Sequence, residues 1–339
     1  MITASPHLAQ LERDLPDWRR LWREAVTDAN ELLDLLDLGH LKAGLPAHAA
    51  GFALRVPRGF IARMRRGDAH DPLLLQVLPH IAETLDVPGF ERDAVGDMEA
   101  RAGRGVLHKY HGRALLVASG TCAINCRYCF RRHFPYGDEI AAANHWHDAL
   151  AYLRAHPDID ELILSGGDPL ALSTAKLIEL TDALCDLPQV RRLRIHTRLP
   201  VVLPERIDTE LCAWLESLPY RCVLVIHANH ANELDANVAA ACQRLRATGT
   251  TLLNQSVLLR GVNDDAAALI ALSHGLFDRC GVLPYYLHQL DRVHGTAHFE
   301  VDAARARELL ATARGQLPGY LMPRWVREIA GENSKRPLF

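Results

Sequence analysis

Residues 114–133 read ALLVASGTCAINCRYCFRRH. An apolar run from Ala114 to Ala118 passes directly into a loop that carries Cys122, Cys126 and Cys129, with Arg131 and Arg132 close behind. A short continuous apolar run closed by glycine is the mark of a strand buried on both faces, and such strands belong to parallel sheets covered by helices. The pattern recurs in ELILS from Glu161, RLRIHT from Arg192, CVLVIHA from Cys222, LLNQSVLL from Leu252 and GVLPYY from Gly281. Amphipathic stretches at 145–154, 174–184, 208–218, 234–246 and 265–279 lie between the runs. Six βα repeats predict a parallel sheet with right-handed crossovers. A closed barrel of this kind takes about eight strands, so the pattern predicts an open, partial β/α barrel, with a doubly wound sheet as the alternative.

In both architectures the working residues gather just past the C-terminal ends of the strands. The polar residues obey that rule. The cysteine loop follows the first run, Ser165-Gly166-Gly167-Asp168 the second, His196 to Arg198 the third and His227 to His230 the fourth. Gln255 to Asp264 follows the fifth run and His288 to His294 the sixth, so the loops are expected to converge on one mouth.

Ahead of the repeats, residues 1–105 read as a helical N-terminal extension to a catalytic portion at 106–339. Trp18, Leu21, Trp22, Ala25 and Val26 share one face of a helix expected over 15–37. A second helix is expected around Phe60, Ile61 and Met64, opened by Pro57 and closed near Gly67, and Pro72 and Pro79 bracket a short apolar run. The chain carries 38 basic and 41 acidic side chains for a formal charge of -3, without the basic excess that non-specific nucleic-acid binding exploits. No apolar run approaches the ~20 residues of a membrane span and no basic segment precedes an apolar leader, which predicts a cytoplasmic protein. Its cysteines are expected to be reduced, with Cys185, Cys212, Cys222, Cys242 and Cys280 serving as core residues.

The clustered cysteines have the spacing C-x3-C-x2-C, with His133 four residues after the last. One reading is a Cys3His zinc site of four tetrahedral ligands. The other is a 4Fe-4S cluster with three protein thiolates, one fewer than such clusters usually carry, leaving one iron open. Zinc knuckles stabilise small units, whereas this loop occupies the functional end of a strand in a large domain. The spacing, followed by an aromatic residue inside a βα repeat, resembles the radical S-adenosylmethionine superfamily. That resemblance implies S-adenosylmethionine chelating the fourth iron. Ser165-Gly166-Gly167-Asp168 looks like the glycine-rich segment that receives the cofactor's amino group, although SGGDP is also an ordinary turn. His196 and His227 are assigned to the same cofactor.

Within that superfamily, RALLVASGTCAINCRYCFRRHF, LILSGGDPL, HTRLPVVLPERI, IHANHANE, NQSVLLRGVND and PYYLHQLDRVHGTAHF resemble the lysine 2,3-aminomutase family over residues 100–335. The resemblance implies pyridoxal phosphate held by an imine to Lys335, with Lys109, Arg113 and Gln255 near its phosphate. It implies Arg131 on the substrate carboxylate, where a guanidinium fork pairs both oxygens. It also implies Asp291 and Glu328 on the distal ammonium of L-lysine, and such opposed carboxylates are what burial of a cation demands. The implied reaction is conversion of L-α-lysine to (R)-β-lysine with an external electron donor. In short members of the family the product passes to the ligase that modifies elongation factor P. Alternatives are a radical aminomutase for another amino acid such as glutamate, or a zinc-binding module. Larger members bind an intersubunit zinc through further cysteines, and with Asp265 at one such place no zinc is expected here.

Overall fold

Each apolar run becomes a strand. In the computed structural model, which describes residues 17–46 and 52–338, these strands are β3 (Arg113–Ser119), β4 (Glu161–Gly166), β5 (Arg192–Thr197), β6 (Arg221–Ile226), β7 (Thr251–Leu258) and β8 (Leu283–Gln289). They pair in parallel in chain order. A further parallel strand, β9 (Arg324–Arg327), joins β8. Its sequence RWVR is too short and too basic to read as a buried strand.

The parallel array continues into antiparallel edges. β1 (Arg101–Gly103) and β2 (Val106–Tyr110) form a hairpin against β3, and β10 (Arg336–Pro337) pairs with β9. The sheet has ten strands in sequential order, open between β1 and β10, so its edges do not close by backbone pairing. Gly105 makes the hairpin turn at φ 68°, where a β-carbon would meet the backbone nitrogen of Ala141 at 2.4 Å. Only glycine suits both demands. The expected boundary at residue 105 therefore falls in a turn between paired strands.

Alternation along β5 sets the two faces of the sheet. Leu193 and Ile195 are fully shielded, with Leu162, Leu164, Leu224 and Ile226 on the neighbouring strands. Arg194 and His196 point to the opposite face and line a cavity, as do Ile163 and Ser165 of β4. On β5 the cavity face is thus polar, whereas β4 and the end of β6 are buried on both faces as their continuous apolar runs predict. One face packs under helices and the other lines the concave interior, as period-two geometry requires.

The crossover helices fall where amphipathic stretches predict them and begin at side-chain caps. Asp208 accepts from the Leu211 N–H at 2.8 Å, and Asp235 accepts from Val238 at 2.9 Å. The helix expected over 265–279 is α-helical over Ala266–His274 and then passes into a π turn, Gly275–Arg279. A helix over Ala303–Arg314, between β8 and β9, has no counterpart in the sequence reading. The helix expected over 15–37 is two helices, Trp18–Arg23 and Ala29–Leu35; residues 15 and 16 lie outside the described residues. The break has local causes. Val26 exchanges backbone hydrogen bonds with Val56, and Asp28 caps the second helix through the Asn30 N–H.

Leu32, Leu33, Phe60, Leu73 and Leu74 of this N-terminal region belong to the same core as Leu116, Leu164 and Ile195. No helix among the described residues is long and apolar enough to cross a membrane.

Candidate active site

The concave face of the sheet encloses a cavity of about 300 Å³. Every residue singled out above for cluster, cofactor or substrate lines it, from Lys109 on β2 to Lys335 at the far end of the chain.

The cysteine loop is held in place by buried charge. Glu83 from the N-terminal region accepts from Arg127 Nε at 2.8 Å and from Arg132 Nη2 at 2.7 Å, and Arg127 itself is fully buried. On the other side the backbone of Gly167 approaches so closely that a β-carbon there would meet the Thr121 carbonyl oxygen at 2.5 Å. Gly167 N–H donates to the Ser119 carbonyl at 2.7 Å and Asp168 N–H to that of Thr121 at 2.8 Å. The glycines of SGGDP therefore bring two strand-end loops into backbone contact.

Cys122, Cys126 and Cys129 face the cavity together, and none of the described cysteines forms a disulfide. Burial pushes the Cys122 thiol up and the Cys129 thiol up to about 11. Sheltered thiols of this kind bind as thiolates when cationic iron offsets the burial, so the loop fits a cluster. His133 does not complete a zinc set. Its Nε2 lies 3.1 Å from the His294 carbonyl oxygen, and it is not among the cavity residues.

Asp168 carries the SGGDP loop to β5. Its carboxylate accepts from Leu170 N–H at 3.0 Å, Thr197 Oγ1 at 2.7 Å, Arg198 N–H at 2.7 Å and Leu199 N–H at 3.2 Å. Burial raises its pKa against the pull of these donors. Ser165 receives Arg131 Nη1 at 3.0 Å.

An ion-pair chain crosses the opposite side of the cavity. Lys335 pairs with Glu328; Glu328 lies 3.0 Å from Lys109 Nζ, which lies 2.6 Å from Asp97; Asp97 lies 2.6 Å from Arg131 Nε. Burial opposes ionisation of Glu328, yet Lys335 and Lys109 outweigh it and hold its carboxyl well below the usual range. Asp291 has the reverse balance. Burial, reinforced by Glu328, pushes its pKa up to about 7, and its Oδ1 is sealed from solvent without a partner.

His196, His227 and His288 enter from β5, the end of β6 and β8. Burial lowers all three, His227 to about 3, so they are neutral imidazoles at physiological pH. Gln255 and His227 meet at 3.0 Å, while Nε2 of His196 and of His288 has no partner. Arg113 stacks 4.7 Å from the Tyr110 ring. The open Nε2 atoms of His196 and His288, both close enough to Lys335 to feel its charge, suit a polar cofactor.

Sequence reasoning missed Asp97, Arg194, Arg198, Tyr286 and His288 as individual cavity residues. His288 and Arg198 were within reach, since both stand at ends of expected runs. Asp97 carried no signal, because nothing local ties it to Arg131.

A family model described as a 4Fe-4S single cluster domain matches residues 103–188, from the β1–β2 hairpin past the cysteine loop and SGGDP. The family model together with the relatives makes this an iron–sulfur enzyme of the radical S-adenosylmethionine class. Relatives narrow this further. The L-lysine 2,3-aminomutase of Escherichia coli (strain K12) is 48% identical over 95% of this chain and 94% of its own, and that of Haemophilus influenzae is 45% identical over 95% and 96%. The L-lysine 2,3-aminomutase of Clostridium subterminale is 32% identical, over 96% of this chain and 79% of its own. The chain belongs to the L-lysine 2,3-aminomutase family and is an isomerase, with cluster, S-adenosylmethionine and pyridoxal phosphate as its cofactors. A crystal structure of a radical SAM methyltransferase from Sphaerobacter thermophilus superposes with a TM-score of 0.49 at 16% identity, covering 65% of this chain and 68% of the other.

Proposed function

We propose that the cavity converts L-α-lysine to (R)-β-lysine, and the observation that carries this reading is the sealed, partnerless Oδ1 of Asp291. An oxygen in that position lacks a cation, and the distal ammonium of lysine supplies one. Glutamate would instead bring a second carboxylate toward Asp291 and Glu328.

Cys122, Cys126 and Cys129 hold the cluster in this reading, and Ser165, Gly166, Gly167, Asp168, His196 and His227 form the S-adenosylmethionine side. Lys335 holds pyridoxal phosphate, with Arg113, Gln255 and Lys109 toward its phosphate. Together these groups, when bound, supply removal and return of a hydrogen atom and a carrier for the migrating nitrogen. Arg131 fixes the substrate carboxylate, its Nε anchored on Asp97 so that the guanidinium enters preoriented. The neutral histidines donate and accept without adding charge, and the concave wall keeps water from a reactive radical.

The test is anaerobic turnover of reconstituted protein with all cofactors, a strong reductant and L-lysine, followed by chiral chromatography. A single β-lysine enantiomer, lost in Cys126→Ala, is expected. Turnover of glutamate in place of lysine would overturn the substrate.

The proposal extends to a cytoplasmic setting, an external electron donor and transfer of the product to the ligase that modifies elongation factor P. These extensions rest on family resemblance. Deleting the gene and finding elongation factor P still carrying β-lysine would remove the last of them.

A further inference from the structure

One buried cation in the cavity is aimed at a cluster cysteine and is not used in the reading above. Arg198 stands just past β5 and is 7% exposed. Its Nη1 lies 2.7 Å from Cys126 Sγ, and its Nη2 lies 2.6 Å from Gln76 Oε1 and 2.9 Å from Glu233 Oε2. Its backbone N–H donates to Asp168, and its guanidinium lies 5.6 Å from the Phe60 ring and 5.7 Å from the Tyr128 ring.

The partners are themselves fixed. Glu233 is fully buried, and its Oε1 accepts from Asn229 N–H at 2.7 Å and His230 N–H at 3.0 Å. Gln76 Nε2 donates to Glu233 at 3.2 Å and to the Pro72 carbonyl at 3.0 Å, while the Gln76 carbonyl accepts from Arg127 N–H of the cysteine loop at 2.8 Å. Carboxylate and amide together hold Nη2, which turns Nη1 toward the sulfur, while Nε is buried without a partner. Neutralising Glu233 alone would need no contact with a cysteine.

We propose that Arg198, clamped by Glu233 and Gln76, donates to the Cys126 thiolate and makes the iron–sulfur cluster easier to reduce. Reduction adds one electron from a low-potential donor to a cluster that already carries anionic thiolates. A hydrogen bond and a positive charge at a ligating sulfur stabilise the more negative product, which raises the reduction potential. Arg198 is thus a positioning and tuning residue of the electron-entry step. This rests on the presence of the cluster and not on lysine as substrate.

The test is a redox titration of reconstituted protein, without lysine, in which dithionite reduces the cluster and electron paramagnetic resonance follows the reduced state. Arg198→Gln is expected to keep its iron content and to shift the midpoint to a more negative value, with a changed signal. Arg198→Lys keeps the charge but not the fork, and should fall between the two. Because Arg198→Gln strands Glu233, whose free carboxylate would itself lower the midpoint, the double variant with Glu233→Gln supplies a second measurement, expected to keep a smaller negative shift. An unchanged midpoint in a fully loaded variant would overturn the proposal, as would weaker S-adenosylmethionine binding at an unchanged midpoint, which would make Arg198 a group for that ligand. Failure of the unaltered protein to take up iron would instead count against the cluster itself.

Discussion

Lys109 Nζ on β2 lies 3.0 Å from Glu328 Oε1, one residue past β9. These residues come from the two ends of a sheet whose backbone does not close, so the ion pair bridges the gap that strand pairing leaves open. Lys335 pairs with the other oxygen of the same carboxylate. The cavity is completed by side-chain charge from opposite ends of the sheet.

Replacing Glu328 with Gln strands the largely buried Lys335 and leaves Lys109 with Asp97 as its one carboxylate partner. Breaking a buried pair from one side costs about 3–5 kcal/mol, discounted here because the side chains keep some exposure. The Glu328 pKa is depressed by folding, so its contribution is present above the ordinary carboxylate range and is lost as pH falls. Thermal melts should show Glu328→Gln less stable at pH 7, with the difference shrinking below about pH 5. An equal deficit at both pH values would rule out the charge pairing as its cause.

Asp291 is expected to behave in the opposite sense. Folding raises its pKa to about 7, so the folded state holds a proton that the unfolded state has released, and stability falls as pH rises through that window. Asp291→Asn should therefore melt higher than the unaltered protein at pH 8 and alike at pH 4. Its KM for lysine should rise at least about tenfold, the usual weight of one charge-assisted hydrogen bond. A melting temperature unmoved at pH 8 would contradict the sealed carboxylate.

Gly167→Ala places a methyl group against the Thr121 backbone, which cannot swing aside as a side chain can. Overpacking of this kind costs about 1–3 kcal/mol. Here the strain falls on the cysteine loop, so iron bound per chain after reconstitution should drop as well. Gly249→Ala is the control, since its φ of 78° is strained but its surroundings are open. Equal iron loading in the two variants would deny that the glycine pair sets the loop.

Glu83→Gln tests the other side of the loop. Arg127 and Arg132 then lose their shared carboxylate in a buried setting. A loss of about 3–5 kcal/mol is expected in denaturant unfolding, together with poor iron uptake. Normal uptake in a destabilised variant would separate the clamp from the cluster.

Local pattern made much of this protein readable. β3 to β8 are short runs, alternating in burial along β5 and β7 and continuously buried over part of the others, and the polar residues at their ends could be recognised as one mouth because parallel topology fixes which end works. The three cysteines, Ser165 to Asp168, Arg131, Asp291, Glu328 and Lys335 could all be marked in the chain, and the cavity is lined by every one of them. β9 and β10 were hidden, being short segments made strands by their neighbours rather than by their own propensity.

The sequence by itself determined the repeats, the ligand spacing and the side-chain chemistry, because these depend on residues a few positions apart. Tertiary structure decided which charges meet. Asp97 joins Lys109 to Arg131, Glu83 grips Arg127 and Arg132, and Glu233 and Gln76 turn Arg198 toward Cys126. The physical reason is that buried ions need partners wherever the fold supplies them, and sequence separation places no limit on which partner burial selects.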